Sequence, residues 1–129
     1  MKTIILLDLN YTLVSNSEKK AAPFTKQIER EVYRRELIDL VKPHYTILIT
    51  ARPARYRALT LAHIVDSTDW YPDESYFNNM NLPPHLFKKR MFIDGIQSNH
   101  SKDRFLAIES NPKTIAEYKK LGVECLSVQ

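Results

Sequence analysis

A single cysteine, Cys125, stands in 129 residues, so no internal disulfide can form. No metal-ligand spacing surrounds it, and it is expected to pack inside as a small apolar residue. Redox chemistry is set aside on the same ground. Equally lacking is any apolar run near the ~20 residues that a bilayer crossing needs. The apolar start IILL ends on Asp8 with no cleavage-site pattern behind it, so a soluble, cytoplasmic protein with no membrane role is expected. No internal repeat or low-complexity stretch is visible, and the chain reads as one domain, residues 1–129.

What is present is enough for one hydrophobic core, with 43% hydrophobic residues. The formal charge of +4 and a pI near 9.2 favour a polyanionic partner, because arginine and lysine neutralise phosphates and release counterions. Basic residues gather at Lys19-Lys20, Arg34-Arg35, Arg52/Arg55/Arg57 and Lys88-Lys89-Arg90. Arg34 and Arg35 lie among glutamates, where a solvated helix face accounts for them.

Residues 3–7 form a short apolar run ending in a carboxylate, which suits a strand buried on both faces of a parallel sheet. Near-helical spacing of Ile28, Val32, Leu37, Ile38 and Val41 predicts one helix over 26–42, stopped by Pro43. Residues 45–49 read as a second strand ending at Thr50, and 56–65 as the next helix. Residues 66–83 mix turn formers with aromatics and are expected to be an irregular surface excursion. A helix is expected from Pro84 to Phe92, a strand over 104–108 ending in Glu109, and a helix opened by Asn111-Pro112 and closed by Gly122. Residues 123–128 supply the last strand.

Strands alternating with helices predict an α/β fold, a Rossmann-like three-layer α/β/α sandwich around a mostly parallel sheet. Functional groups in such a fold gather at the carboxyl ends of the strands, where Asp8, Thr50 and Glu109 stand. Each alone is readily a turn former or a cap. Jointly they suit phosphoryl transfer: Asp8 as a nucleophile forming an aspartyl-phosphate, Thr50 as a hydroxyl donor, and Glu109 sharing Mg²⁺ with Asp8. The loop after Asp8 can add a backbone carbonyl. Arg52, Arg55 and Arg57, with Ala51 in the same loop and Tyr56 and Trp70 nearby, are candidates to hold phosphates and stack bases. The plain alternative is a solvated loop with core aromatics.

The segment IILLDLNYTLV (4–14) resembles the first motif of the haloacid dehalogenase superfamily, an apolar strand leading into Asp-x-Asp-x-Thr. ILITARP (47–53) resembles its second motif, and FLAIESNPKTIAEYKKLGVECLSV (105–128) its acidic fourth motif with the helix and strand that follow. Within that superfamily, LAIES, KKLGVECLSV and ARPARYRALT are similar to the phosphatase domain of bacteriophage polynucleotide kinase-phosphatase. The resemblance implies Asp8 as nucleophile and Mg²⁺ ligand, Asn10 lending its backbone carbonyl to the metal, Thr50 binding the phosphoryl group and Glu109 completing the metal site. It also implies a lysine between the second and fourth motifs. Lys88 is the expected one, with Lys89 and Lys102 as alternatives, and Ser110 supports the site.

Three positions depart from the family pattern. Ser110 stands where the family often has a second acid, a change that weakens metal binding. Asn10 stands where the phosphatases place a second aspartate as general acid and base, a role commonly worth ~10²–10⁴-fold in rate. Tyr11 stands where glycine is usual. A helix over 26–42 leaves no room for a large cap domain between the first two strands, so an open site for a macromolecular end is implied. The expected function is Mg²⁺-dependent phosphomonoester hydrolysis on nucleic-acid 3′-phosphate ends or nucleotides. Its rivals are a catalytically weak domain that binds phosphate-bearing ligands or nucleic acid, and a small-metabolite phosphatase. The sequence names no protein partner.

Overall fold

A computed structural model describes residues 1–128. Five strands form one all-parallel sheet: β1 (Thr3–Leu7), β2 (Tyr45–Pro53), β3 (Glu74–Asn78), β4 (Arg104–Glu109) and β5 (Glu124–Ser127), in the order β3-β2-β1-β4-β5. The helices are α1 (Phe24–Glu29), α2 (Arg35–Val41), α3 (Arg57–Thr68), α4 (Pro84–Met91), the short α5 (Gln97–Asn99) and α6 (Pro112–Lys120). This is the Rossmann-like α/β architecture that the alternating pattern implies.

β1 is central because its residues are apolar on both faces. Ile5 and Leu7 join a core with Leu37, Ile38 and Val41 of α2 and Leu61 and Ile64 of α3. Ile4 and Leu6 join the opposite core with Phe87 of α4, Phe92 and Tyr118 of α6. Alternate side chains of a strand point to opposite faces, so this division places a helical layer on each side of the sheet. Each of these four β1 residues is at most 3% exposed, and burying one contributes roughly 1.5–3 kcal/mol.

Parallel pairing fixes where the strand ends fall. Leu7 lies opposite Leu48 on β2 and Ile108 on β4, and the Asp8 N–H donates to the Ile108 carbonyl at 3.0 Å. Strand order turns at β1, with β2 and β3 added on one side and β4 and β5 on the other. The crevice at such a reversal is where open α/β sheets bind ligands.

Two expected elements differ. The single helix over 26–42 is broken into α1 and α2. Between them Tyr33 forms an antiparallel bridge with Val14, Ser15 N–H donates to Val32 C=O and Arg34 N–H to Leu13 C=O, both at 2.8 Å. Val32 and Tyr33, a β-branched and an aromatic residue, favour this extended pairing over helix; Val32, expected on the buried helix face, is 58% exposed. The excursion at 66–83 also contains regular structure: α3 runs on to Thr68, Asp69 ends it in the left-handed region at φ 57°, and β3 pairs with β2 from Ile47↔Glu74 to Thr50↔Phe77. Trp70 is a core residue, not a surface stacking platform. The other boundaries shift by a few residues: α6 has its predicted Asn111 cap, whose side chain accepts from Lys113 N–H at 3.0 Å, and Gly122 follows it at φ 80°, the left-handed geometry that glycine adopts without strain. Cys125 is only partly buried.

Candidate active site

Asp8, Thr50 and Glu109 meet at the carboxyl edge of β1, β2 and β4, and together with Lys88, Asn10 and Ala51 they line one small cavity of about 190 Å³. Lys88 reaches it from α4. Pro84 sits in that helix's first turn, where its missing N–H breaks no hydrogen bond. One turn on, the Lys88 side chain turns inward, 2% exposed. Its Nζ donates to Asp8 Oδ1 and to Glu109 Oε2, each at 2.7 Å. Of the three candidate lysines, Lys88 is the one paired with these carboxylates; Lys89 pairs with Glu117.

The electrostatics are uneven. Burial by itself would lower the Lys88 ammonium, but the Asp8 and Glu109 carboxylates outweigh it and hold it above its ordinary value. Glu109 is pushed up to about 7, first by burial and then by the Asp8 charge beside it, with Lys88 offsetting only part. Two carboxylates share one ammonium. A phosphate dianion would meet an anionic pocket here unless a further cation entered it.

Hydrogen bonds aim the carboxylates. The Thr12 hydroxyl donates to Asp8 Oδ2 at 2.7 Å and lies 3.0 Å from Ser110 Oγ, which is itself 3.5 Å from Asp8 Oδ2. Glu109 Oε1 accepts from the N–H groups of Ser110 and Asn111 at 3.1 and 3.2 Å. Thr50 Oγ1 accepts from Arg52 N–H at 3.1 Å, where β2 shifts register between Thr50 and Pro53. That irregularity re-aims the strand end. Thr12 was not among the expected site residues, although it fills the threonine position of the Asp-x-Asp-x-Thr pattern.

Arg52 departs from the role expected of it. It is buried, with both guanidinium nitrogens on the Glu31 carboxylate, NH1 also donating to Thr60 Oγ1 at 3.0 Å and NH2 to Asn10 Oδ1 at 2.8 Å. The Phe24 ring covers it at 5.0 Å. With both terminal nitrogens engaged and its Nε buried without a partner, Arg52 is a support for Asn10 and not a free phosphate anchor. Glu31 and Thr60, its partners, carry no sequence signal of their own, since Glu31 sits in what reads as a charged helix face. Arg55 and Arg57 do remain exposed. Arg55 stacks on Tyr56 at 4.7 Å and lines a cleft of about 640 Å³ with Ala51, Asn78, Asn79, Asn81 and Pro84, while Arg57 Nε donates to Ser75 Oγ at 3.1 Å. The cleft and the cavity share Ala51 and Pro84, so they adjoin.

Tyr11 adopts φ 63°, the left-handed turn that glycine would take freely. Its N–H donates to Ser17 Oγ at 2.7 Å, and Lys20 lies over its ring at 5.2 Å. The turn after Asp8 is thus kept, at a strain of about 1–2 kcal/mol. Among the described residues no group of three or more His, Cys, Asp or Glu side chains is placed to hold a metal. A cation here would rest on Asp8 and Glu109 with backbone and water oxygens. That donor set suits Mg²⁺, which takes one or two carboxylates and keeps its waters, and does not suit zinc.

Fold and cavity together define a Rossmann-like α/β domain with a carboxylate–lysine–carboxylate cluster at its switch-point crevice. No protein-family model matches the chain, nor does any curated protein. Among solved structures it is similar to a chain of the Pnkp1/Rnl/Hen1 RNA repair complex, with a TM-score of 0.78 at 16% identity over 98% of this chain and 42% of that one. A second structure of the Pnkp1/Rnl/Hen1 complex gives a TM-score of 0.75 at 18% identity, over 99% and 46%. The chain spans less than half the length of these neighbours, and likeness at such identity is likeness of fold. Among the described residues no helix is long and apolar enough to cross a membrane.

Proposed function

We propose that this chain is a Mg²⁺-dependent phosphoryl-transfer domain of the haloacid dehalogenase type that acts on phosphate ends of nucleic acids or on nucleotides. The observation that carries the reading is the Lys88 bridge, which holds the Asp8 carboxylate at the mouth of a cavity beside Thr50 and Glu109. A carboxylate oxygen of Asp8 attacks phosphorus, a P–O bond forms as the ester P–O bond breaks, and water later returns the carboxylate. Lys88 and the Thr50 hydroxyl meet the negative charge of the transferring group. Mg²⁺, held by Asp8, Glu109 and the Asn10 backbone carbonyl, would supply the positive charge that two carboxylates and one ammonium leave wanting.

The substrate class rests on the adjoining cleft. Its lining offers a cation, Arg55, and several amide side chains but no carboxylate, which suits an anionic strand whose bases carry hydrogen-bonding edges. The fold neighbours come from an RNA repair complex, in keeping with that reading. The test is phosphate release from a 3′-phosphorylated oligonucleotide and from a nucleotide panel, with Mg²⁺ or EDTA, by wild type and Asp8→Asn. Release that needs Mg²⁺ and is lost in Asp8→Asn is expected. Full activity in Asp8→Asn would sink the assignment. Asn10 favours one second reading, a domain that binds such ends with little turnover; oligonucleotide binding without phosphate release would mark it.

A further inference from the structure

Residue 10 has its chemistry decided by its neighbours. Arg52 possesses only N–H donors, so the atom of Asn10 that faces it at 2.8 Å is the carbonyl Oδ1. What Asn10 can offer to the cavity it lines is therefore its Nδ2 amide group, a donor that neither accepts nor releases a proton at ordinary pH. The orientation is fixed from behind. Arg52 cannot swing away, because Glu31 holds its two terminal nitrogens and Thr60 takes a further bond, and Arg52 and Glu31 are 2% and 5% exposed. Removing either partner would leave an uncompensated buried charge.

Among the described residues, the titratable side chains that line the cavity with Asp8 are Tyr11, Lys88 and Glu109, and each is already engaged. Glu31 is spent on Arg52 through both oxygens. Lys88 and Glu109 are bonded to each other, Tyr11 is half exposed with its hydroxyl accepting from Lys20 at 3.2 Å, and Thr12, Thr50 and Ser110 bring only hydroxyls. The nucleophile is thus equipped to receive a phosphoryl group, and the water that should remove it is unassisted.

Resting on the function proposed above, we infer that Arg52 and Glu31 are positioning residues that lock Asn10 as a fixed hydrogen-bond donor, so that Asp8 takes up a phosphoryl group and retains it. In the first step an Asp8 oxygen bonds to phosphorus while the bond from phosphorus to the ester oxygen breaks, the electron pair leaving with that oxygen. The Asn10 amide N–H hydrogen-bonds the departing oxygen but gives it no proton, which it later takes from solvent. Donors whose leaving group needs no proton therefore load Asp8 best. In the second step water must lose a proton as it attacks the aspartyl-phosphate, and without a base this step is slower by about 10²–10⁴-fold. The chain then spends its working time phosphorylated.

The experiment uses the full chain with Mg²⁺ and p-nitrophenyl phosphate, follows nitrophenolate by stopped flow and reads the intact protein mass after acid quench. Expected is a burst of a single equivalent per chain, then a far slower steady rate, with a phosphorylated species that Asp8→Asn does not form. Asn10→Asp should abolish the burst and raise the steady rate by about 10²–10⁴-fold. Arg52→Lys, checked for folding by its unfolding transition, should slow the burst about ten-fold, the value of one charge-assisted hydrogen bond, without changing how fast phosphorylated Asp8 decays. A purely structural role for Arg52 would not produce that split. Steady wild-type turnover with neither burst nor phosphorylated protein overturns the inference and leaves the proposed function standing. An inert wild type beside an active Asn10→Asp overturns the inference, since loading would then require the acid, and moves the proposed function to its second reading, binding with little turnover. No reaction by either protein overturns both.

Discussion

The two edges of the sheet each carry a glutamate in a polar cluster, and their treatment is opposite. At the amino edge, Glu74 opens β3 and accepts from Tyr45 OH at 2.7 Å and Tyr76 OH at 2.8 Å, with His100 Nε2 at 2.7 Å. Burial works to raise its pKa, but the hydrogen bonds from Tyr45, Tyr76 and His100 outweigh it and hold the carboxyl below the usual range. Tyr45 and Tyr76 are in turn pushed up to about 12, Tyr45 chiefly by its bond to Glu74 and Tyr76 first by burial. At the carboxyl edge, Glu109 closes β4 and is pushed the other way. One carboxylate is satisfied within the protein; the other is left short of positive charge. Satisfied polar clusters fasten a structure, whereas an under-compensated one at a switch-point crevice marks where a ligand or cation is to be met.

This contrast can be broken most severely at Asp8. Asp8→Asn should lower phosphate release by about 10⁴-fold or more, while Glu74→Gln, far from the cavity, should leave release unchanged at matched folded fraction; an equal loss in both would erase the distinction between the edges. Next, Lys88→Met leaves two carboxylates facing each other and should lower unfolding free energy by about 3–5 kcal/mol, with part regained on adding Mg²⁺. Urea unfolding with and without the ion reads both quantities. A Lys88→Met protein as stable as wild type would show that the cluster does not depend on this ammonium.

Stability against pH should separate the two glutamates by sign. Glu109 has a folded value near 7 against an ordinary 4.5, so its contribution is full below about pH 4.5 and is lost as pH rises towards 7. Glu74 lies below its ordinary 4.5, so its contribution is present above that value and is lost as pH falls through the folded one. Urea midpoints measured in EDTA across this range should lose their neutral-side decline in Glu109→Gln and part of their acid-side decline in Glu74→Gln. Matching profiles for the two variants would contradict the opposite shifts. The smallest effect is expected at Tyr11: Tyr11→Gly relieves a left-handed φ and should raise stability by about 1 kcal/mol, since the ring it removes is 51% exposed.

The sequence carried the carboxyl edge better than the amino edge. Asp8, Thr50 and Glu109 were legible because each ends a run of β-forming apolar residues, and a parallel sheet must bring such ends together. Lys88 was legible through resemblance alone, for nothing in KKRM says which lysine points inward. The broken helix hid the most. Apolar spacing over 26–42 fits a helix, and only the pairing of Val14 with Tyr33 shows that the chain leaves it. That break is what delivers Glu31 to Arg52, so the three arginines of the 52–57 loop look equivalent in sequence while one is buried and two are exposed. β3 was obscured for a related reason: its Glu74 and Asn78 resemble turn residues until Tyr45, Tyr76 and His100 are seen around the first and Leu82 against the second.

The Val14–Tyr33 bridge has a mechanical meaning as well. Main-chain bonds at Ser15 and Arg34, joined by Asn16 bonded to Arg30 C=O and Val32 N–H, weld the stretch that follows Asn10 to the stretch that carries Glu31. The support behind Asn10 is a strut, not a flap. It can neither peel back for a bulky substrate nor let residue 10 turn independently of the segment behind it, so fit on this side must be met by the substrate as it arrives.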